Sequence, residues 1–240
     1  MPALLSSSRL QPAPSAEHIA TSSVTPRKHP RYYMPQGDVV IRVQDALFKV
    51  DLSVLHEKSP VLQMITPPQY AGKMRLCGFD DDHPFLLHDI TEAEFVRLLW
   101  VLFPSNSHPF TMASIADWVS ILKLAHKYQI DDVRELAVLR LHASHIDPIR
   151  KIAIWDQYHL DTTLLTSSYV ALCQRVEPLT LAMTMTIGLK NFTKLAAARD
   201  MYHQRLTSDG CCKSFTPEQK RIIAEDVVKQ NFLKYTRHSI

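Results

Sequence analysis

Glycine is scarce in this chain, with five residues in 240: Gly37, Gly72, Gly78, Gly188 and Gly210. No two of them are spaced as G-x-G-x-x-G or G-x-x-x-x-G-K-[ST], so both glycine-rich phosphate-cradling loops are excluded. Cysteine is equally sparse, at four residues. Cys77 and Cys173 are isolated and Cys211–Cys212 are adjacent, which fits neither a disulfide scaffold nor a common zinc motif. Free thiols in a reducing compartment are expected. No apolar run approaches the roughly 18–20 residues of a membrane span. Met1–Leu5 is too short for a signal-peptide core. The expected location is intracellular, cytoplasmic and/or nuclear, with no membrane partner.

Charge of one sign is also missing where it would matter. The net charge is +3, and residues 1–36 supply it, with Arg9, Arg27, Lys28 and Arg31 against Glu17 alone. Residues 37–240 are neutral, so they have no global basic excess to supply a phosphate-neutralising surface, and nucleic acid is not an expected partner.

Residues 1–35 hold six of the fifteen prolines and little apolar periodicity. Such a segment cannot offset its ordering entropy, so it reads as a disordered tail. Within it, Pro26-Arg-Lys-His-Pro-Arg31 has the composition of a nuclear address. Order is expected from Gly37. Asp38–Val43 and Ala46–Val50 form a hairpin candidate across Gln44-Asp45. Asp51 offers a cap for a helix through Lys58, and Ser59-Pro60 starts another. After a loop containing Asp80-Asp81-Asp82, Phe85–His88 is a short third strand.

Helices dominate the remainder. Thr91-x-x-Glu94 is a capping box, and Ile90 with Phe95 has the spacing of a hydrophobic staple. Ile115, Trp118, Val119, Leu122, Ala125 and Tyr128 keep a 3.6-residue period. Asp132 and Asp147-Pro148 read as further helix starts. Helices are also expected over 162–176 and 181–206, punctuated by Pro178 and Gly188, and from Thr216-Pro217-x-Gln219. The plan is α+β, mostly α.

Chemistry is hard to find among the twelve histidines. His142-x-x-His145 has no third ligand nearby, and Cys77, His83 and His88 match no zinc spacing. The acidic run lacks the alternating oxygens, glycine and distal glutamate of an EF-hand. No G-x-S-x-G elbow appears. The expectation is a non-enzyme, with no cofactor, no metal and no small-molecule substrate.

The order of elements and several motifs resemble the BTB/POZ domain. Asp38-Val-Val-Ile-Arg-Val43 with Leu47-Phe-Lys-Val50 looks like its opening hairpin, and Leu55…Ser59-Pro-Val-Leu62 like its following helices. Asp81–Ile90, Phe95–Pro104, Trp118–Tyr128 and Val133–Ala137 are similar to BTB proteins of mushroom-forming fungi. The similarity continues through Tyr158-His-Leu160, Tyr169–Arg175, Glu177–Thr180, Ile187–Leu189 and Ala198–Asp200. It therefore spans 37–206.

The resemblance implies a BTB/POZ fold over 37–145, a small sheet flanked by a helical cluster. A helical extension over 146–240 would pack on it. It implies a protein–protein interaction module, with a copy of itself or another BTB protein as partner. Substrate adaptor of a cullin-type ubiquitin ligase is the alternative role within the family. BTB domains commonly pair through the opening strand and first helices, which here places the interface at Asp38, Val40, Leu52, Val54, Leu55, Val61 and Leu62. In dimeric BTB transcription factors a buried basic residue pairs with the strand aspartate, which Asp38 matches. Leu52 stands at the basic position, so the implied interface is apolar and uncharged.

Overall fold

The computed structural model of the chain describes residues 25–66, 77–104, 113–208 and 215–233. It is mostly helical around one small mixed sheet. The first half comprises β1 (Arg27–Tyr33), β2 (Val39–Val43), β3 (Ala46–Val50), α1 (Leu52–Lys58), α2 (Pro60–Ile65), β4 (Phe85–Leu86), α3 (Glu92–Leu102), α4 (Ile115–Lys127) and α5 (Asp131–Ala143). There follow α6 (Pro148–Gln157), a 3-10 turn (Thr162–Leu165), α7 (Thr166–Gln174), α8 (Leu181–Ser208), α9 (Pro217–Val228) and a π-helical turn (Lys229–Leu233).

The sheet order is β1-β3-β2-β4. β2 and β3 form the antiparallel hairpin, with Val43 opposite Ala46. Gln44 takes a left-handed backbone, φ 54°, which lets two residues reverse the chain. Both central strands are buried along nearly their whole length, so their alternation is weak and they read as β-branched runs. Gly37 sits where a Cβ would lie 2.7 Å from the Lys49 carbonyl carbon and the Val50 nitrogen.

β1 is a correction to the tail expected through residue 35. It pairs in parallel with β3, Arg27 opposite Ala46, and buries Tyr32. Side chains far away in sequence hold it. Arg27 donates to Glu92 at 2.6 Å, Lys28 lies 2.8 Å from Asp81, and the Tyr33 hydroxyl donates to Asp81 at 2.5 Å. The basic run read as an address is thus built into the sheet, and Asp81 of the acidic run fastens it. The part of the expected tail before residue 25 lies outside the described residues.

Local start signals behave as their chemistry requires. Thr91 Oγ1 accepts from the Glu94 amide while the Glu94 carboxylate accepts from the Thr91 amide, and Ile90 and Phe95 are both buried. Asp147 accepts from Ile149 and Arg150, and Thr216 and Gln219 exchange the same reciprocal pair. The exception is α5. It begins at Asp131 without a side-chain cap, because the buried Ile130 occupies the cap position and Asp132 reaches Lys58 at 2.9 Å instead.

Phe48 of the sheet meets Phe95 of α3 edge-on at 4.9 Å. α3 packs on α4 and α4 on α5, while α6 packs on α7 and α8, and α9 closes against α7 and α8. Apolar residues of the sheet, α3–α5 and α6–α9 belong to one buried cluster. Arg199 is buried and donates to the carbonyls of Arg175 and Glu177, both at 2.9 Å, fixing the α7–α8 connection.

Candidate interaction surfaces

α1 and α2 form the first candidate surface, and their caps tie them into the fold. Asp51 Oδ1 accepts from the Ser53 amide at 2.8 Å. The preceding amide, that of Leu52, donates to Asp38 Oδ1 at 2.7 Å. Ser59 is fully buried: its hydroxyl accepts from the Leu62 amide and donates to the Tyr128 carbonyl at the end of α4. The start of α2 is therefore set by α4 as well as by its own proline.

This anchoring decides the fate of the seven residues expected at an interface. Leu55 and Leu62 are each 1% exposed and join the chain's own core with Leu52, and Val40 is buried in β2. They are not available to a partner; these apolar side chains cover the chain's own sheet and helices. Asp38 is exposed, and Val54 and Val61 are half-buried. The accessible apolar residues are Met64, 78% exposed, and Ile65, which follow Val61 on one face of α2. Their spacing of three and four residues from Val61 was the available signal, but periodicity does not say which partner a face meets.

A second surface is a groove of about 430 Å³ where α5 meets the segment following α6. Val138, Leu139, Leu160 and Leu164 supply its apolar walls, with Arg134 and Asp161 at its polar edge. The Arg134 guanidinium donates to the Tyr158 carbonyl at 3.2 Å, and the Lys151 ammonium to the His142 carbonyl at 2.9 Å. Burial pulls the Lys151 amine below its ordinary value. Burial and the neighbouring Lys151 charge likewise hold His142 below its ordinary value.

Among the described residues, no three of His, Cys, Asp and Glu are grouped to hold a metal ion. Cys77 is an exposed thiol, and burial pushes the Cys173 thiol up to about 11, which makes it a poor nucleophile. Cys211 and Cys212 lie outside the described residues. No described helix is long and apolar enough to cross a membrane. No protein-family model, curated protein or solved structure matches the chain.

Proposed function

We propose that the protein is a non-enzymatic interaction module of BTB/POZ type, carried on residues 37–145 and extended by the helices of 146–240. Its partner is a copy of itself or another BTB protein. The observation that carries this reading is the outer face of α2, where Met64 and Ile65 stand exposed beside the half-buried Val61 while the helix behind them is firmly anchored. A rigid scaffold presenting adaptable apolar side chains suits docking. Sedimentation of the full chain tests it: Met64→Asp combined with Ile65→Asp should weaken association while leaving the circular dichroism unchanged. Identical association of variant and wild type, with itself and with BTB partners, overturns the reading.

The groove between α5 and the segment after α6 favours the second reading, a cullin-type ligase adaptor, because it gives a surface distinct from α2. Leu139 lines it and is 64% exposed. Pull-down with a fungal cullin, lost on Leu139→Asp, is the expected result under that reading; no retention of the cullin by the wild type removes it.

A further inference from the structure

Four hydroxyl residues in the chain stand directly before proline: Thr25, Ser59, Thr66 and Thr216. Their surroundings separate them. Ser59 is fully buried, its hydroxyl held by the Tyr128 carbonyl and the Leu62 amide. Thr66 is buried and donates to the Leu62 carbonyl. Thr216 is exposed, but its Oγ1 caps α9 by accepting the Gln219 amide, and the acidic Glu218 follows its proline. Thr25 is exposed, lies outside any helix and is followed by Pro26-Arg27-Lys28. Proline next to the acceptor and a basic residue two positions beyond the proline is the pattern that proline-directed protein kinases select.

The backbone suits such an acceptor. A residue before proline is pushed to extended conformations, and β1 continues extended from Arg27. β1 lies at the edge of the sheet, and the side chains of Arg27 and Lys28 remain 59% and 57% exposed. Residues two apart in extended chain project to one side, about 6.6 Å apart, so a phosphate on Thr25 comes within reach of the Arg27 guanidinium. Arg27 is already committed. It donates to both oxygens of Glu92, at 2.6 and 2.7 Å, and its amide donates to the Asp45 carbonyl at 2.8 Å. A phosphothreonine brings nearly two negative charges and three acceptor oxygens, and competes with a single carboxylate for that fork. Glu92 is then left facing a like charge at the start of α3. Lys28 and Tyr33 keep their hold on Asp81, so the loosening is confined to the first residues of β1.

We infer that Thr25 is a phosphate-acceptor site for a proline-directed kinase, and that its phosphate releases the start of β1 from Glu92 of α3. In the transfer the Thr25 hydroxyl oxygen bonds to the γ-phosphorus of ATP and the bond to the β–γ bridging oxygen breaks. ADP leaves, and the hydroxyl proton passes to the kinase's catalytic carboxylate. The full chain treated with magnesium ATP and a cyclin-dependent kinase should gain one phosphate, mapped to Thr25 by mass spectrometry of fragments. Thr25→Ala should gain none, and Lys28→Ala should react more slowly. A folded chain left untouched by kinase that modifies a synthetic peptide of residues 21–31, or a phosphate mapped to Thr216, overturns the site. The release is read separately. Amide exchange at Arg27 should quicken about two- to fivefold on phosphorylation, the scale of losing one exposed ion pair. In Glu92→Gln, which has no carboxylate to displace or repel, phosphorylation should leave that exchange unchanged. Equal exchange in modified and unmodified wild type, or the same rise in Glu92→Gln, overturns the release.

Discussion

Asp38 and Leu52 meet through the backbone: the Asp38 carboxylate accepts the Leu52 amide at 2.7 Å while the Leu52 side chain turns into the core. Asp51 caps the following amide of Ser53, so the two carboxylates share the unpaired donors at the start of α1. The strand aspartate thus has a function within the chain, orienting α1 on β2, that needs no basic side chain.

Removing that acceptor strands an amide at the helix start. Asp38→Ala should cost about 1–3 kcal/mol in urea unfolding, and Asp38→Asn, which keeps an oxygen in place, should restore most of it. Equal losses in the two variants would mean that charge, and not acceptance, is what matters.

Thr91 sits in a denser arrangement. Its capping partner Glu94 also takes the Lys123 ammonium at 2.6 Å, joining the start of α3 to α4. Thr91→Ala should cost about 0.5–2 kcal/mol by loss of the cap. Burial pushes the Glu94 carboxyl upward, but the hydrogen bonds from Lys123 and the Thr91 amide outweigh it and hold the group below its ordinary 4.5. Its contribution is present above that value and is lost as pH falls through the lowered one. Glu94→Gln should therefore flatten the acid limb of the stability curve below about pH 4.5.

These caps were legible because everything they need lies within four residues. The hairpin was legible for the same reason. β1 was not: its partners Ala46, Asp81 and Glu92 are remote in sequence, and its prolines and basic residues have the composition of a tail. Leu55 and Leu62 show a different limit. An apolar helix face states that something covers it, but only the fold shows that the cover is the chain's own core. Ser114-x-x-Asp117 is a further capping box of the same local kind; it starts α4 and ties it to Arg97 of α3.

Gly37 supports a prediction based on close approach. A Cβ there would meet β3 backbone atoms at 2.7 Å, and backbone cannot swing aside as a side chain can. Gly37→Ala should destabilise the hairpin, lowering the melting temperature and speeding amide exchange in β2 and β3. A melting curve equal to wild type would show that the turn before β2 relaxes without cost.

The extension supports another. Ile149, Ile152, Trp155 and Tyr158 share the cluster of the preceding helices, and Tyr158 meets His126 edge-on at 5.7 Å. A chain ending at residue 145 should expose this apolar surface, bind a hydrophobic dye and aggregate on heating. A soluble fragment as stable as the full chain would show that the helices after Asp147 are an independent unit.

His29 makes β1 sensitive to acid. Its Nδ1 accepts the amides of Arg31 at 3.2 Å and Tyr32 at 3.1 Å, and its ring stacks on Phe48 at 4.9 Å. An imidazolium carries a proton on that nitrogen and cannot accept either bond. Burial pulls the group below its ordinary 6.5; Glu92 opposes this and the charges of Arg27 and Arg31 reinforce it. The unfolded chain therefore takes up the proton first, and stability falls as pH drops below about 6.5 until the folded state also protonates. His142 shifts in the same direction, so the slope is shared. Urea unfolding near pH 7.5 and pH 5.5 should show wild type losing more stability than His29→Phe, which keeps the stacking and cannot titrate. The variant should start lower at neutral pH, because two β1 amides lose their acceptor. Parallel slopes for the two proteins would place the acid sensitivity elsewhere than His29.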